Sequence, residues 1–156
     1  MITMKGYKEF DQKLYDDNDY IAKTTAAEFL NQMDYELKIP IDKQPEVYKL
    51  YDFEIFDDGC SVLVEVEVKN VWHRSGEWEG YCTIDIPSRK SKSISDLYIM
   101  FNKTLDTLAI TKTVTILSSP ESYKRTKYTD NESFFNVSLD KFKFYTKRNN
   151  LWIEVN

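Results

Sequence analysis

Histidine occurs once in this chain, at His73, and cysteine twice, at Cys60 and Cys82. A Ser-His-Asp or Cys-His mechanism would have to run through that single imidazole, in the turn VWHRSGEW, and no orienting pattern accompanies it. Neither cysteine has the CxxC or Cys/His spacing of a zinc site, so both are expected as free thiols in a reducing compartment. Glycine and proline number four each, which speaks for a packed globular fold and against disorder. Arginine is also scarce, at Arg74, Arg89, Arg125 and Arg148. Nothing resembles a signal peptide, an apolar membrane span or a lipidation site, so a soluble, cytoplasmic chain with no membrane partner is expected. No repeat or linker breaks the 156 residues, which are expected to fold as one domain, 1–156.

What is present is aromatic and unevenly charged. Aromatic residues make up 15%, eleven of them tyrosine, and the net charge is −5. That sign argues against a strong nonspecific nucleic-acid binder. Residues 1–85 nevertheless hold nine basic and nineteen acidic side chains, a balance of −10, and residues 86–156 hold twelve basic and seven acidic, a balance of +5. The densest basic pieces are Arg89-Lys90-Ser91-Lys92 and Lys124-Arg125-Thr126-Lys127. The first is the expected phosphate contact, because it follows the strand expected beside the acidic hairpin.

That hairpin lies in YDFEIFDDGCSVLVEVEVKN, residues 51–70. Val62, Val64, Val66 and Val68 alternate with Leu63, Glu65, Glu67 and Lys69, so three charges share one side of a strand. The preceding strand carries Asp52 and Glu54 on one face and Phe53 and Ile55 on the other. A two-residue turn at Asp58-Gly59 pairs Asp57 with Cys60, placing Asp52 opposite Glu65 and diagonal to Glu67. Cross-strand neighbours stand about 5 Å apart and diagonal ones roughly 7–8 Å, so like charges there need a cation or a basic group between them. Oxygen-only ligation of this kind suits Mg²⁺ or Mn²⁺. The same alternation also describes a solvent-facing sheet surface whose ion pairs are worth at most about 1 kcal/mol.

An aspartate on one strand, a glycine-containing turn, then an apolar strand ending in acid, any residue, lysine resembles the PD-(D/E)XK nuclease superfamily, which includes restriction enzymes and Holliday-junction resolvases. Asp52 matches its first acid, Glu67 the second and Lys69 the lysine; Tyr51 stands where the naming proline would be. The resemblance covers roughly residues 28–102. It implies an α/β (α+β) fold, with N-terminal helices, a mixed central sheet with a restriction-endonuclease-like core, and a C-terminal β-hairpin. It also implies Mg²⁺ (or Mn²⁺) held by Asp52 and Glu67 and Lys69 acting on the attacking water; Arg89, Lys90 and Lys92 of the basic cluster are the expected phosphate-binding residues beside them. Glu28, on a helix capped by Thr24 with Ala27, Leu30 and Met33 facing the core, and Glu65 are further catalytic candidates.

The implied activity is metal-dependent hydrolysis of phosphodiesters, in DNA before RNA, by a junction- or structure-dependent nuclease, a partner-dependent subunit or a phage-type protein, alone or as a homodimer. A non-catalytic nucleic-acid- or protein-binding module on the same fold is the competing class. Glu65-Val66-Glu67-Val68-Lys69 is also an ExExK string, which resembles triphosphate tunnel metalloenzymes, closed barrels of about eight antiparallel strands lined by many basic residues. Further along, pairing Trp72 with Trp78 would set GYCTIDI beside the Glu67 strand, with Asp85 near Glu65. Residues 96–101 and 107–116 read as strands, 118–132 as a loop, and 134–145 with 151–155 as a terminal hairpin turned at Arg148-Asn149-Asn150.

Overall fold

The computed structural model describes residues 12–37, 52–80, 82–89, 95–126 and 131–155, with side chains from residue 19 onward. Helix α1 (Gln12–Gln32) contains neither glycine nor proline. Its buried residues Ala22, Ala26, Ala27, Phe29 and Leu30 follow the helical period and form one apolar face. The helix ends in a Schellman motif: Asp34 turns left-handed at φ 69°, while the Tyr35 amide donates to the Leu30 carbonyl and the Asp34 amide to that of Asn31. Thr24 is not a cap. It lies inside this continuous helix, with its hydroxyl donating to the Tyr20 carbonyl at 2.8 Å.

The strands are β1 (Glu36–Leu37), β2 (Phe53–Asp57), β3 (Cys60–Val68), β4 (Thr83–Pro87), β5 (Leu97–Phe101), β6 (Thr107–Lys112), β7 (Glu121–Lys124), β8 (Glu132–Ser138), β9 (Lys143–Arg148) and β10 (Leu151–Val155). A short helix α2 (Thr113–Leu117) follows β6, and a 3₁₀ turn (Leu139–Lys141) follows β8. Seven strands form a mixed sheet in the order β1-β2-β3-β5-β6-β9-β10, and β4-β8-β7 form a second, antiparallel sheet. Within the larger sheet β3 and β5 run parallel and every other neighbouring pair is antiparallel.

Alternation along β5 ties the layers together. Ile99 and Phe101 pack with α1, whereas Tyr98 and Met100 pack with Ile84, Ile86, Phe135 and Val137 of the smaller sheet. The chain is therefore mainly β, with α1 on one face of the mixed sheet and three strands on the other. Fully burying each large side chain in such a core contributes about 1.5–3 kcal/mol relative to leaving it exposed.

The β2–β3 hairpin has the expected register. Asp58 and Gly59 both take positive φ, 49° and 79°, the signature of a type I′ turn, and Asp57 pairs with Cys60. The terminal hairpin also forms, between β9 and β10, turned at Asn149 and Asn150 with φ 51° and 64°.

Four expectations are corrected. GYCTIDI does not pair with the Glu67 strand: β4 joins β8, and β5 takes that edge of β3. The reason is apolar content. Tyr98 to Phe101 are buried on both faces and suit a central strand, whereas TIDIP alternates and covers one face. Residues 113–117 are helical because a helical turn carries both Thr113 and Ile116 inward, overriding their β-branched preference. Residues 121–124 form β7 rather than loop, through pairing with β8. The strand expected over 134–145 is broken at the 3₁₀ turn, where the chain leaves one sheet for the other.

Candidate functional site

Asp52 stands just before β2, its amide bonded to the Val64 carbonyl at 2.8 Å. The Phe53–Val64 pairing sets it across from Glu65. Its Oδ2 accepts the Val66 amide at 2.6 Å, so the side chain completes the hydrogen bonding of β3 beyond the last paired residue. From α1, Lys23 Nζ reaches Asp52 Oδ1 at 3.4 Å and Asp19 at 2.9 Å. Burial pushes the Asp52 carboxyl above its ordinary value, and the Val66 amide and the Lys23 ammonium only partly offset this. Burial acts to lower Lys23, but Asp19 and Asp52 outweigh it and the net shift is upward.

Glu67 lies near the end of β3 and Lys69 one residue past it, with their side chains in contact. Lys69 Nζ donates to the Asp85 carbonyl at 2.6 Å and is 3.3 Å from Glu67 Oε1. The other Glu67 oxygen accepts the hydroxyl of Tyr98, only 1% exposed on the neighbouring parallel strand. Burial, then the charge of Glu67, with Glu65 and Asp52 adding to it, holds the Tyr98 phenol well above the ordinary tyrosine range. Tyr98 thus senses all three acids. It pairs in register with Glu65.

Asp52 thus faces Glu65 across the hairpin, Lys69 pairs with Glu67 further along the same strand, and Arg89 shares a cleft with Glu67. A cleft of about 620 Å³ is lined by Asp19, Val66, Glu67, Arg89, Lys103 and Thr104 among others, and Arg89 also pairs with Glu132 of β8. Lys90 and Lys92 lie outside the described residues. Glu28 is not part of the site. It follows Lys23 by five residues, about 140° around the helix, and its side chain, 59% exposed, lies 3.9 Å from Lys147 Nζ. Asp85 is taken by Lys124 and by Asn136 Nδ2. His73 is exposed, and Cys60 and Cys82 are free thiols. Trp72 and Trp78 meet edge to face with centroids 5.2 Å apart, but in the loop after β3 rather than as the cross-strand pair expected.

Sequence reasoning missed Lys23, Asp19 and Tyr98. The Asp19-to-Lys23 spacing of four is a readable helical ion pair; Tyr98 was hidden because parallel pairing is nonlocal. Asp52 and Glu67 offer oxygen donors of the type that hard divalent ions accept. Their four oxygens are engaged by Lys23, the Val66 amide, Lys69 and Tyr98, and no group of three or more His, Cys, Asp or Glu side chains is gathered as a metal cage among the described residues. The donor chemistry fits such an ion, with lysine ammonium groups now carrying the compensating charge.

No protein-family model, curated protein or solved structure matches the chain. Among the described residues, no helix is long and apolar enough to cross a membrane.

Proposed function

We propose that the protein is a metal-dependent nuclease of PD-(D/E)XK type that hydrolyses phosphodiester bonds, in DNA by preference. The observation that carries this reading is the convergence of Asp52, Glu67 and Lys69 at one end of the β2–β3 hairpin, with the Asp52 charge held where burial disfavours it. A fold keeps a carboxylate in such a position at a cost to stability, as functional sites do. The chain order lends support. Helix, three antiparallel strands and then a strand parallel to the third follow part of the αβββαβ order of that superfamily, but β4 of the smaller sheet, and no α-helix among the described residues, lies between β3 and β5.

A divalent ion held by Asp52 and Glu67 would polarise the scissile phosphodiester and make hydroxide available near neutral pH. The protein's own groups do the rest. Lys69, steadied by the Asp85 carbonyl, presents its ammonium beside Glu67, where it orients the attacking water and stabilises negative charge developing on phosphorus oxygens. Tyr98 fixes the Glu67 carboxylate from below. Arg89 and Lys103 at the cleft rim receive backbone phosphate.

The test is cleavage of supercoiled, single-stranded and branched DNA, with inorganic triphosphate alongside, in Mg²⁺ and Mn²⁺. Asp52→Asn and Lys69→Met are expected to lose roughly 100-fold or more in rate while remaining folded. Equal cleavage by Lys69→Met and the parent would sink the assignment. The lysine pairing of both carboxylates favours the second reading, a binding module that cleaves nothing; DNA binding without cleavage in every metal would select it. The open mixed sheet, with its parallel β3–β5 pair, departs from the closed antiparallel barrel that the tunnel enzymes require.

A further inference from the structure

We propose that Lys23 is a built-in counter-ion of Asp52, occupying the position from which an incoming divalent cation must displace it. The inference rests on the nuclease reading only for the identity of that cation. Lys23 comes from α1 while Asp52 belongs to the hairpin, so their 3.4 Å contact is a tertiary one. Ala22 and Ala26, 3% and 0% exposed, let the helix lie close against the sheet and bring the lysine within reach. Its ammonium is bracketed by two carboxylates and offsets their charge as a metal would, but it supplies no Lewis acidity.

The two lysines of the site are not equivalent. Lys69 is anchored to a backbone carbonyl as well as to Glu67, whereas the described partners of Lys23 are both carboxylates. Lys23 can therefore leave Asp52 and keep Asp19, one turn back on its own helix. Asp19, the carboxylate that would retain the lysine, lines the cleft that also reaches Glu67.

The experiment is calorimetric titration of Mn²⁺ into the parent, Lys23→Met, Asp52→Asn and the double variant, with circular dichroism as the control for folding. Methionine keeps most of the aliphatic stem and removes the charge. The expected result is metal binding about tenfold or more tighter in Lys23→Met than in the parent, and lost in the double variant. A second measurement uses the parent itself: amine acylation read by peptide mass should speed up at Lys23 on addition of Mn²⁺, should not change at exposed Lys141, and should show no Mn²⁺ effect in Asp52→Asn. Equal affinities with unchanged labelling overturn the counter-ion role and leave the metal site standing. Tight binding by Lys23→Met and none by the parent supports the counter-ion role and removes the nuclease reading. No binding by either variant removes both. Should Lys23→Met fail to fold, the labelling of the parent decides.

Discussion

Asp52 and Asp106 are carboxyl groups that this fold moves in opposite directions, and the two make opposite contributions to stability. Burial would raise Asp106, but hydrogen bonds from Ser75, Asn102, Thr104 and Thr107 outweigh it and the net shift is below the ordinary value of 3.8. A lowered carboxyl contributes stability that is complete above the unfolded-state pKa and lost as pH falls through the folded one. Asp106→Asn is therefore expected to cost stability near neutrality and to flatten the acid limb between about pH 5 and about pH 2, read from urea midpoints. Asp52 has the reverse sign. Its raised carboxyl binds a proton more tightly in the folded state, so its charge costs stability above the folded pKa and acid relieves that cost. Asn at position 52 keeps an oxygen for the Val66 amide and removes the charge. Asp52→Asn should equal the parent at low pH and exceed it increasingly as pH rises through the carboxylate range to neutrality, while losing cleavage; a variant less stable at neutral pH would refute the cost assigned to the Asp52 charge. Tyr98→Phe tests the support of Glu67. Losing a hydrogen bond to a carboxylate should cost about 1.5–3 kcal/mol, together with a fall in rate that a purely structural hydroxyl would not produce.

At the scale of elements, the hairpin was legible because two local signals agree. Alternation from Val62 to Lys69 assigns faces, and Asp58-Gly59 accepts the positive φ of a type I′ turn. Register then follows by counting. Gly59→Ala should expose how much rests on that turn: a Cβ there meets nothing within 4 Å, so only left-handed backbone strain is added, a loss of about 1–2 kcal/mol with no change in the Asp57–Cys60 register, checked by thermal melting and by amide exchange across the hairpin. What stayed illegible is nonlocal. The β3–β5 pair joins segments some thirty residues apart through a crossover, and no short-range rule distinguishes β5 from β4 as the neighbour of β3. Only the two-sided apolarity of Tyr98 to Phe101 carried that information. Helix α2 failed for a related reason, since Thr113 to Ile116 reads as strand until burial of positions three apart decides. The site inherited the error: Tyr98 could not be assigned to Glu67 before β5 was assigned to β3.

For the molecule as a whole, the charge asymmetry between halves is met in part by ion pairs that cross between them. Lys124 of the basic half pairs with Asp85 of the acidic half, as Lys147 does with Glu28, and Arg89 turns to Glu132 within its own half. The described basic groups that line the cleft with Glu67 are Arg89 and Lys103. Nucleic acid held there should therefore touch few phosphates, and its binding should weaken with salt along a shallow slope. Each phosphate contact contributes roughly 0.9 to the slope of log affinity against log salt on duplex DNA and about 0.7 on a single strand. In the Asp52→Asn background, where binding can be followed without cleavage, Arg89→Ala is expected to reduce the slope by one such step, because its guanidinium must exchange Glu132 for phosphate to bind. Lys124→Ala should leave the slope unchanged, since that ammonium is committed to Asp85. Fluorescence anisotropy across a salt series measures both. The reverse pattern, with Lys124→Ala altering the slope and Arg89→Ala silent, would route nucleic acid over the smaller sheet, away from Asp52 and Glu67, and the hairpin acids would then have no substrate to act upon.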